Sequence, residues 1–437
     1  MRYHLVTLGC PKNTVDSEQL ERLLLAGRHT PTVRPSDADL LIVNTCGFID
    51  ASKEESVNTI LRLAALKKPG QKLVAAGCMT QLYGDEVASE IPEVDHIFGV
   101  NQWESVAALA AGERNAPWDI PVTSSPMVAR TSAYLKISDG CNAPCTFCII
   151  PQIKGRFTSA SAGQVVGEAR RLVAEGAREL VLVAQDSTAW GEDIGLRDGL
   201  ADLLHVLADS LPERPWLRIM YAYPGRVSPR LIDAMATIPN VVHYLDMPLQ
   251  HASVKMLKRM RRPANMEMVR RTLADLRSAM PDIALRTSLI VGFPGETESE
   301  FSELKDFVGE VRFDHAGVFT YSPQDGTPSA TMDAQVPEKT KRRRRAELME
   351  IQQTISNERN RLMIGSELTV LIEASSQERG GSGQVVSIGR SYRDAPEVDG
   401  VVIVRGEFAP GTLLPVRVTG AMPYDLVADP IAALTPA

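Results

Sequence analysis

Three times near its start the chain shows a short apolar run that ends in a cysteine and gives way to a helical pattern. "YHLVTLGC" closes on Cys10 before "SEQLERLLLAG", "DLLIVNTC" closes on Cys46 before "SKEESVNTILRLAAL", and "KLVAAGC" closes on Cys78 before "DEVASEI". Strands and helices that alternate at this spacing build a parallel sheet with covering helices, since parallel neighbours need a crossover between them. Residues 1–111 are therefore expected to form a doubly wound α/β domain. Ligands of such sheets gather beyond the carboxyl ends of the strands. Cys10, Cys46 and Cys78 occupy those ends, so they are expected to converge on one rim as a three-thiolate site.

At 437 residues the chain is too long for one ordinary domain of about 150 residues. Residues 112–130, "GERNAPWDIPVTSSPMVAR", carry Pro117, Pro121 and Pro126 with little periodicity and read as a linker. A second alternation follows, with strands "AYLKIS", "ELVLVAQ", "WLRIMYAY", "VVHYLDM", "ALRTSLIVG" and "HAGVFTYS". Six β/α units predict an open, partial relative of the eight-fold barrel, whose chemistry sits at the carboxyl ends of the strands. This unit is expected over 131–362, including a charged terminal helix with Leu348, Ile351, Ile355 and Leu362 on one stripe. Residues 366–437 then offer short β runs bounded by Gly, Asp and Pro, which predict a small five-stranded antiparallel barrel.

Immediately after the first barrel strand comes "DGCNAPCTFCIIP", which puts Cys141, Cys145 and Cys148 on one loop. No apolar run approaches the roughly 18 residues of a membrane helix, and "MRYHLVTLGC" is not a basic-then-apolar leader, so a cytoplasmic protein without a membrane partner is expected. In that compartment six cysteines are reduced, which favours a metal or redox role over disulfides. Zinc would call for a fourth Cys or a nearby His; the nearest histidines are His96 and His205, and no further Cys lies downstream. Iron–sulfur chemistry suits the spacing better. With three protein thiolates, one iron of a cubane cluster is left open to a small molecule.

C-x-x-x-C-x-x-C after the first strand of a β/α barrel, with Phe147 between the last two cysteines, resembles the signature of the radical S-adenosylmethionine (SAM) enzymes. That resemblance implies that the open iron at the catalytic trio Cys141, Cys145 and Cys148 binds SAM, and that reduction cleaves SAM to a hydrogen-abstracting radical. The whole chain resembles the radical SAM methylthiotransferases, built from an amino-terminal three-cysteine domain, a radical SAM barrel and a terminal β-barrel of the TRAM type. The likeness implies a second 4Fe-4S cluster on Cys10, Cys46 and Cys78, carrying the sulfur to be donated. It also implies an electron donor of the flavodoxin or ferredoxin type and a sulfur donor as partners. "LGCPKNTVDSEQL" and "RSYRDAPEVDG" are similar to the branch that modifies an aspartate of the small-subunit ribosomal protein S-twelve; the tRNA-modifying branch has Gln-Met where this chain has Pro11 and Lys12.

Charge agrees with that branch. The chain carries −7 overall, and residues 366–437 hold nine acids against five bases, so a phosphate backbone is repelled and a basic protein attracted. Gln185 and Asp186, and the turn Gly292 to Glu296, resemble SAM-contacting segments of the family; Gln250, His251 and Tyr321 follow strands at the same mouth. "KRRRR", Lys341 to Arg345, is flanked by Glu338, Glu347 and Glu350 and reads as a solvated, salt-bridged helix face. After "IPQIKGR" the family shows an Arg-Ser-Arg-like element where this chain has "FTSAS", which leaves the contact made by those arginines unassigned. Two alternatives stay open: a tRNA 2-methylthioadenosine synthase with the same machinery, and a two-cluster electron carrier without catalysis.

Overall fold

The computed structural model describes residues 1–111, 131–375 and 385–431. The expected linker, 112–130, lies outside the described residues. In the first unit, Arg2–Thr7, Leu40–Thr45 and Lys72–Gly77 pair in parallel, with Thr30–Pro31 and His96–Phe98 as short outer strands. Alternate side chains of these strands serve two cores, as the twofold periodicity of a strand demands. Leu40, Ile42 and Val74 pack with Leu20 and Leu24 of the helix Pro11–Ala26 and with Trp103 and Val106 of Trp103–Ala111. Leu41, Val43 and Leu73 pack on the opposite face with Ile60, Leu63 and Val87. The sheet is therefore doubly wound, with helices on both faces.

Six parallel strands form the second sheet, in the spatial order His315–Thr320, Ala284–Val291, Val241–Asp246, Trp216–Ile219, Glu179–Val183, Ser132–Lys136. Each strand neighbours the next one along the chain, the usual placement of consecutive elements. Leu135, Leu180, Leu182, Leu217, Leu245 and Leu285 point outward into the largest core, beneath the covering helices. Inward-facing Tyr134, Val181, Val183, Met220, Val242 and Tyr244 form a separate core, completed by Val15 from the first unit and Ala395 from the last. An eight-stranded barrel fills its own lumen. This six-stranded one is filled partly by its neighbours in sequence.

The terminal unit closes a five-stranded barrel of Glu367–Ser375, Val386–Arg390, Val402–Arg405, Leu426–Pro430 and Leu413–Ala421. One pair departs from the antiparallel expectation: Val402–Arg405 and Leu426–Pro430 run parallel. The segment between its second and third strands enters the open end of the large barrel. There Glu179, fully buried, holds Arg218 at 2.7 Å and Arg390 at 2.6 Å. Beside it Asp399 accepts from Tyr244 Oη at 2.6 Å and pairs with Arg286 at 3.2 Å, and Asp314 pairs with Arg393 at 3.1 Å.

Two expectations for the helix Glu338–Leu362 are corrected. Leu348 and Ile355 are buried as the stripe requires, but Leu362 is 82% exposed. The buried face is completed instead by Gln352, Ser356 and Asn360, which satisfy loop and strand-end backbone groups, among them the carbonyls of Phe313 and Asp314. The basic run is salt-bridged but not wholly solvated: Lys341 and Arg344 are buried, with Lys341 Nζ on the Tyr321 carbonyl at 2.8 Å and Arg344 on the Glu296 carbonyl at 3.1 Å. Two of the five cations therefore brace turns at the barrel mouth.

Burial alone would push the Glu179 carboxyl up, but the two guanidiniums outweigh it and hold the pKa down to about 2, from 4.5. Its contribution to stability is full above the unfolded pKa and disappears as pH falls through the folded one. Replacing Glu179 by Gln leaves two buried arginines short of a counter-charge and is expected to cost about 3–5 kcal/mol in urea unfolding at neutral pH. That deficit should shrink as the pH is lowered from about 4.5 toward 2.

Candidate iron–sulfur sites and the chamber between them

The first trio stands where strand ends meet helix starts. Cys10 precedes Pro11–Ala26, Cys46 follows Leu40–Thr45, and Cys78 opens Cys78–Glu90. Each of these sulfurs lies within electrostatic reach of the other two. Asn13 stands among them: its Nδ2 donates to the carbonyls of Leu8 at 2.9 Å and Thr45 at 3.1 Å, and its Oδ1 accepts from Cys78 Sγ at 3.4 Å. The sequence reading missed Asn13. The available signal was a helix whose inward face is polar, with Asn13, Asp16 and Ser17 buried beside Leu20 and Leu24. Gly9 is fixed by space and conformation, at φ +94° with the position of a Cβ only 2.8 Å from Cys46 Sγ.

Cys141, Cys145 and Cys148 are likewise within electrostatic reach of one another. Their loop is pinned on several sides. Cys141 N donates to the Gly155 carbonyl at 3.3 Å, Thr146 N to the Met260 carbonyl at 3.1 Å, and Thr146 Oγ1 to the Arg259 carbonyl at 2.9 Å. Phe147 meets Phe293 edge-on at 6.4 Å, in a buried patch with Met256, Met260 and Tyr321 that backs the loop. Arg262, whose Nη1 is 3.8 Å from Cys145 Sγ, lies over the Tyr223 ring at 4.2 Å, and Arg226 pairs with Asp186 at 3.0 Å. These two arginines put cations at the mouth beside the cysteine loop.

All six cysteines are free thiols. Burial pushes Cys78 and Cys148 up to about 12 and raises Cys46 and Cys141, so iron binding at these thiols is expected to release protons. Among the described residues no three His, Cys, Asp or Glu side chains are gathered as they would be round one metal ion. A cubane cluster presents its corners to ligands further apart than a single ion does, and three soft sulfurs per rim fit such a cluster with one iron left open.

The two rims face each other. Cys78 packs in one buried patch with Ile149 and Ile153, and Ile149 directly follows Cys148. Asp16, 1% exposed, is clamped by Lys136 at 2.6 Å and by Lys154 at 2.7 Å, both from the barrel unit. Asp139 closes the network at 3.3 Å from Lys136 and 3.5 Å from Lys154. Burial works against both ammonium charges, but the carboxylates prevail and the pKa values of both lysines rise. Asp50 adds a second tie, accepting from Ser322 at 2.9 Å.

Of the other expected positions, Gln185 and Asp186 are at the mouth. Gln185 Nε2 donates to Asp139 at 2.9 Å while its buried Oε1 has no partner; Asp186, raised by burial, accepts from Thr188 at 2.6 Å. Gly292, at φ +74°, lies where Lys341 leaves no room for a side chain, and its N–H is held by Glu296. Tyr321 is buried behind Phe293, with its hydroxyl on Ser329 at 2.8 Å. Gln250 bridges to the neighbouring strand by backbone bonds to Ser288 and Ile290. His251 is fully buried, its Nδ1 accepting from the N–H groups of Ala252 and Ser253 at 3.0 and 2.9 Å, which is a structural post.

A partial parallel barrel with a three-cysteine loop at the mouth defines a radical SAM enzyme. The Radical SAM superfamily matches residues 135–308, the uncharacterized protein family UPF0004 residues 2–99, and the TRAM domain residues 364–431. The ribosomal protein uS12 methylthiotransferase RimO of Roseiflexus sp. (strain RS-1) is 46% identical, covering 99% of this chain and 98% of its own. That of Chloroflexus aurantiacus is 47% identical, over 98% and 99%. The chain belongs to the family of the ribosomal protein uS12 methylthiotransferases RimO. Among solved structures, the radical SAM methyltransferase TsrM from Kitasatospora setae superposes with a TM-score of 0.55 at 14% identity, covering 75% of this chain and 77% of its own. The cobalamin-dependent radical enzyme OxsB gives 0.52 at 13% identity, over 81% and 57%. These two share the fold.

Replacing Gly9 by Ala would drive a methyl into Cys46 and force a strained backbone. After anaerobic reconstitution, G9A and C46A are each expected to bind about four irons per chain, against about eight for the parent. Both should keep the SAM-induced change in the cluster spectrum, which C145A should lose.

Proposed function

We propose that this chain inserts a methylthio group at the β-carbon of an aspartyl side chain of ribosomal protein uS12. In this reading Cys141, Cys145 and Cys148 hold the 4Fe-4S cluster that binds SAM, and Cys10, Cys46 and Cys78 hold a second 4Fe-4S cluster. When bound, these groups supply reductive SAM cleavage, hydrogen abstraction and a transferable sulfur. The observation that carries the reading is the single buried patch that Cys78 shares with Ile149 and Ile153, because a carbon that loses hydrogen at one centre and gains sulfur at the other must reach both.

The chain's own residues supply position and enclosure. Arg226, Arg262, Gln185 and Asp186 offer charges and an unused acceptor around the SAM site, with Tyr321 in the buried patch behind the cysteine loop and Gly292 in the turn that leads into it. Phe147, Phe293 and Met260 keep water from the back of the cluster loop. Asp16, Lys136 and Lys154 hold the two rims in register. The working division is 1–111 for the second cluster, 131–362 for the radical SAM core and 366–437 for the TRAM unit, whose acid excess suits a basic protein better than tRNA. A flavodoxin or ferredoxin type electron donor, a sulfur donor and a cytoplasmic location complete the proposal; among the described residues no helix is long and apolar enough to cross a membrane.

Mass spectrometry of ribosomal proteins and tRNA from cells lacking the chain separates the readings. The expected result is uS12 without its methylthio increment and tRNA with 2-methylthioadenosine intact. The reverse pattern would assign the chain to tRNA, and no change in either would leave a two-cluster electron carrier.

A further inference from the structure

Lys12 stands apart from the other cations at the chamber. It belongs to the first unit, two residues after Cys10, yet its side chain crosses into the mouth of the barrel. Its Nζ lies 3.6 Å from the centroid of the Tyr221 ring and 3.4 Å from the Ala184 carbonyl, both just beyond the carboxyl ends of barrel strands. Tyr221 is held there in the left-handed region, φ 62°, with its N–H on Asp246 at 3.3 Å. Among the described residues no carboxylate comes within 4.0 Å of Lys12, so an ammonium with three donors uses one, and that weakly. Among the described residues the Ala184 carbonyl and the Tyr221 ring are what engage it closely, so donors are left for an incoming acceptor.

The surrounding anions are already engaged. Asp139 is tied to Lys136, Lys154 and Gln185, and Asp246 pairs with Arg286 at 2.9 Å. The other mouth cations are engaged too: Arg226 with Asp186 at 3.0 Å and Glu192 at 3.2 Å, Arg262 with the Pro248 carbonyl. An aspartyl side chain entering here passes Asp139, Asp186 and Asp246, carboxylates that are already paired and offer it no donor. Its carboxylate is one bond from the carbon that must lie between the two rims. Lys12 spans that gap and has donors to spare.

We propose that Lys12 binds the carboxylate of the substrate aspartate and so sets the preference for an acidic side chain over its amide. This rests on the reading of the chain as a uS12 methylthiotransferase. The test uses anaerobically reconstituted protein without reductant, so that binding is measured without turnover, and two ligands: uS12 and uS12 with its target aspartate changed to Asn.

The parent is expected to bind the Asp form more tightly than the Asn form. In K12Q the Asp form should weaken on the order of ten- to a hundredfold, the Asn form by less than about twofold, and the preference should vanish. Affinity for SAM and iron content should stay at the parental value, and K12R should retain the preference. An unchanged Asp-to-Asn ratio in K12Q, or a loss of SAM affinity in place of uS12 affinity, would overturn the assignment. Should K12Q fail to fold or to hold iron, the parent still decides: equal affinity for the two uS12 forms overturns it. Methylthiolation of uS12 by the reduced parent keeps the functional reading in place whichever way Lys12 falls; its absence overturns both.

Discussion

The buried carboxylate of Asp16, held between Lys136 and Lys154, is the interaction on which the arrangement of this protein depends. It comes from a helix whose first residues flank Cys10, and its partners flank the loop of Cys141, Cys145 and Cys148 on either side. This buried contact therefore leads in fixing one three-sulfur rim against the other, with the Asp50–Ser322 bond and the Cys78 patch beside it. A buried ionic network is seldom the cheapest way to hold two surfaces together, since apolar packing of the same volume is often as stable. Its advantage is register: a carboxylate with two ammonium partners tolerates little sliding. Removing Asp16 leaves Lys154, which is almost fully buried, short of its nearest counter-charge.

The same logic recurs at the opposite end of the barrel. Six strands leave the lumen open, and the segment following Arg390 enters it with Ala395 at its tip and Asp394 and Asp399 at its sides. Asp399 reaches Arg286, which also holds Asp246 at the mouth, so the terminal unit and the chamber are joined through two carboxylates and one guanidinium. The three units consequently share one interior. Neither cysteine trio is a property of a separate domain; each is finished by contacts from its neighbours.

Much of this was legible in the sequence, for a physical reason. Short apolar runs followed by helical patterns announce a parallel sheet, and Cys10, Cys46 and Cys78 at three equivalent strand ends announce a rim. Cys141, Cys145 and Cys148 announce the second site through spacing alone. What stayed hidden depends on non-local pairing. Asp16 meets lysines more than a hundred residues away, and Arg390 meets Glu179 at a separation of 211 residues; neither leaves a periodic trace. The stripe on the last barrel helix misled at Leu362, because the helix end turns toward the terminal unit and buries Asn360 instead. "KRRRR" looked solvated because charge suggests water, whereas Lys341 and Arg344 serve as hydrogen-bond donors to backbone carbonyls at the mouth.

The central claim is that two clusters share one chamber. Electron paramagnetic resonance of the reconstituted protein, reduced until both clusters are paramagnetic, tests it most directly. Clusters on rims as close as Cys78 and Ile149 are expected to couple, giving a fast-relaxing, broadened spectrum that reverts to a simple one when Cys10, Cys46 and Cys78 are replaced. A parent spectrum equal to the sum of two isolated clusters would contradict the account.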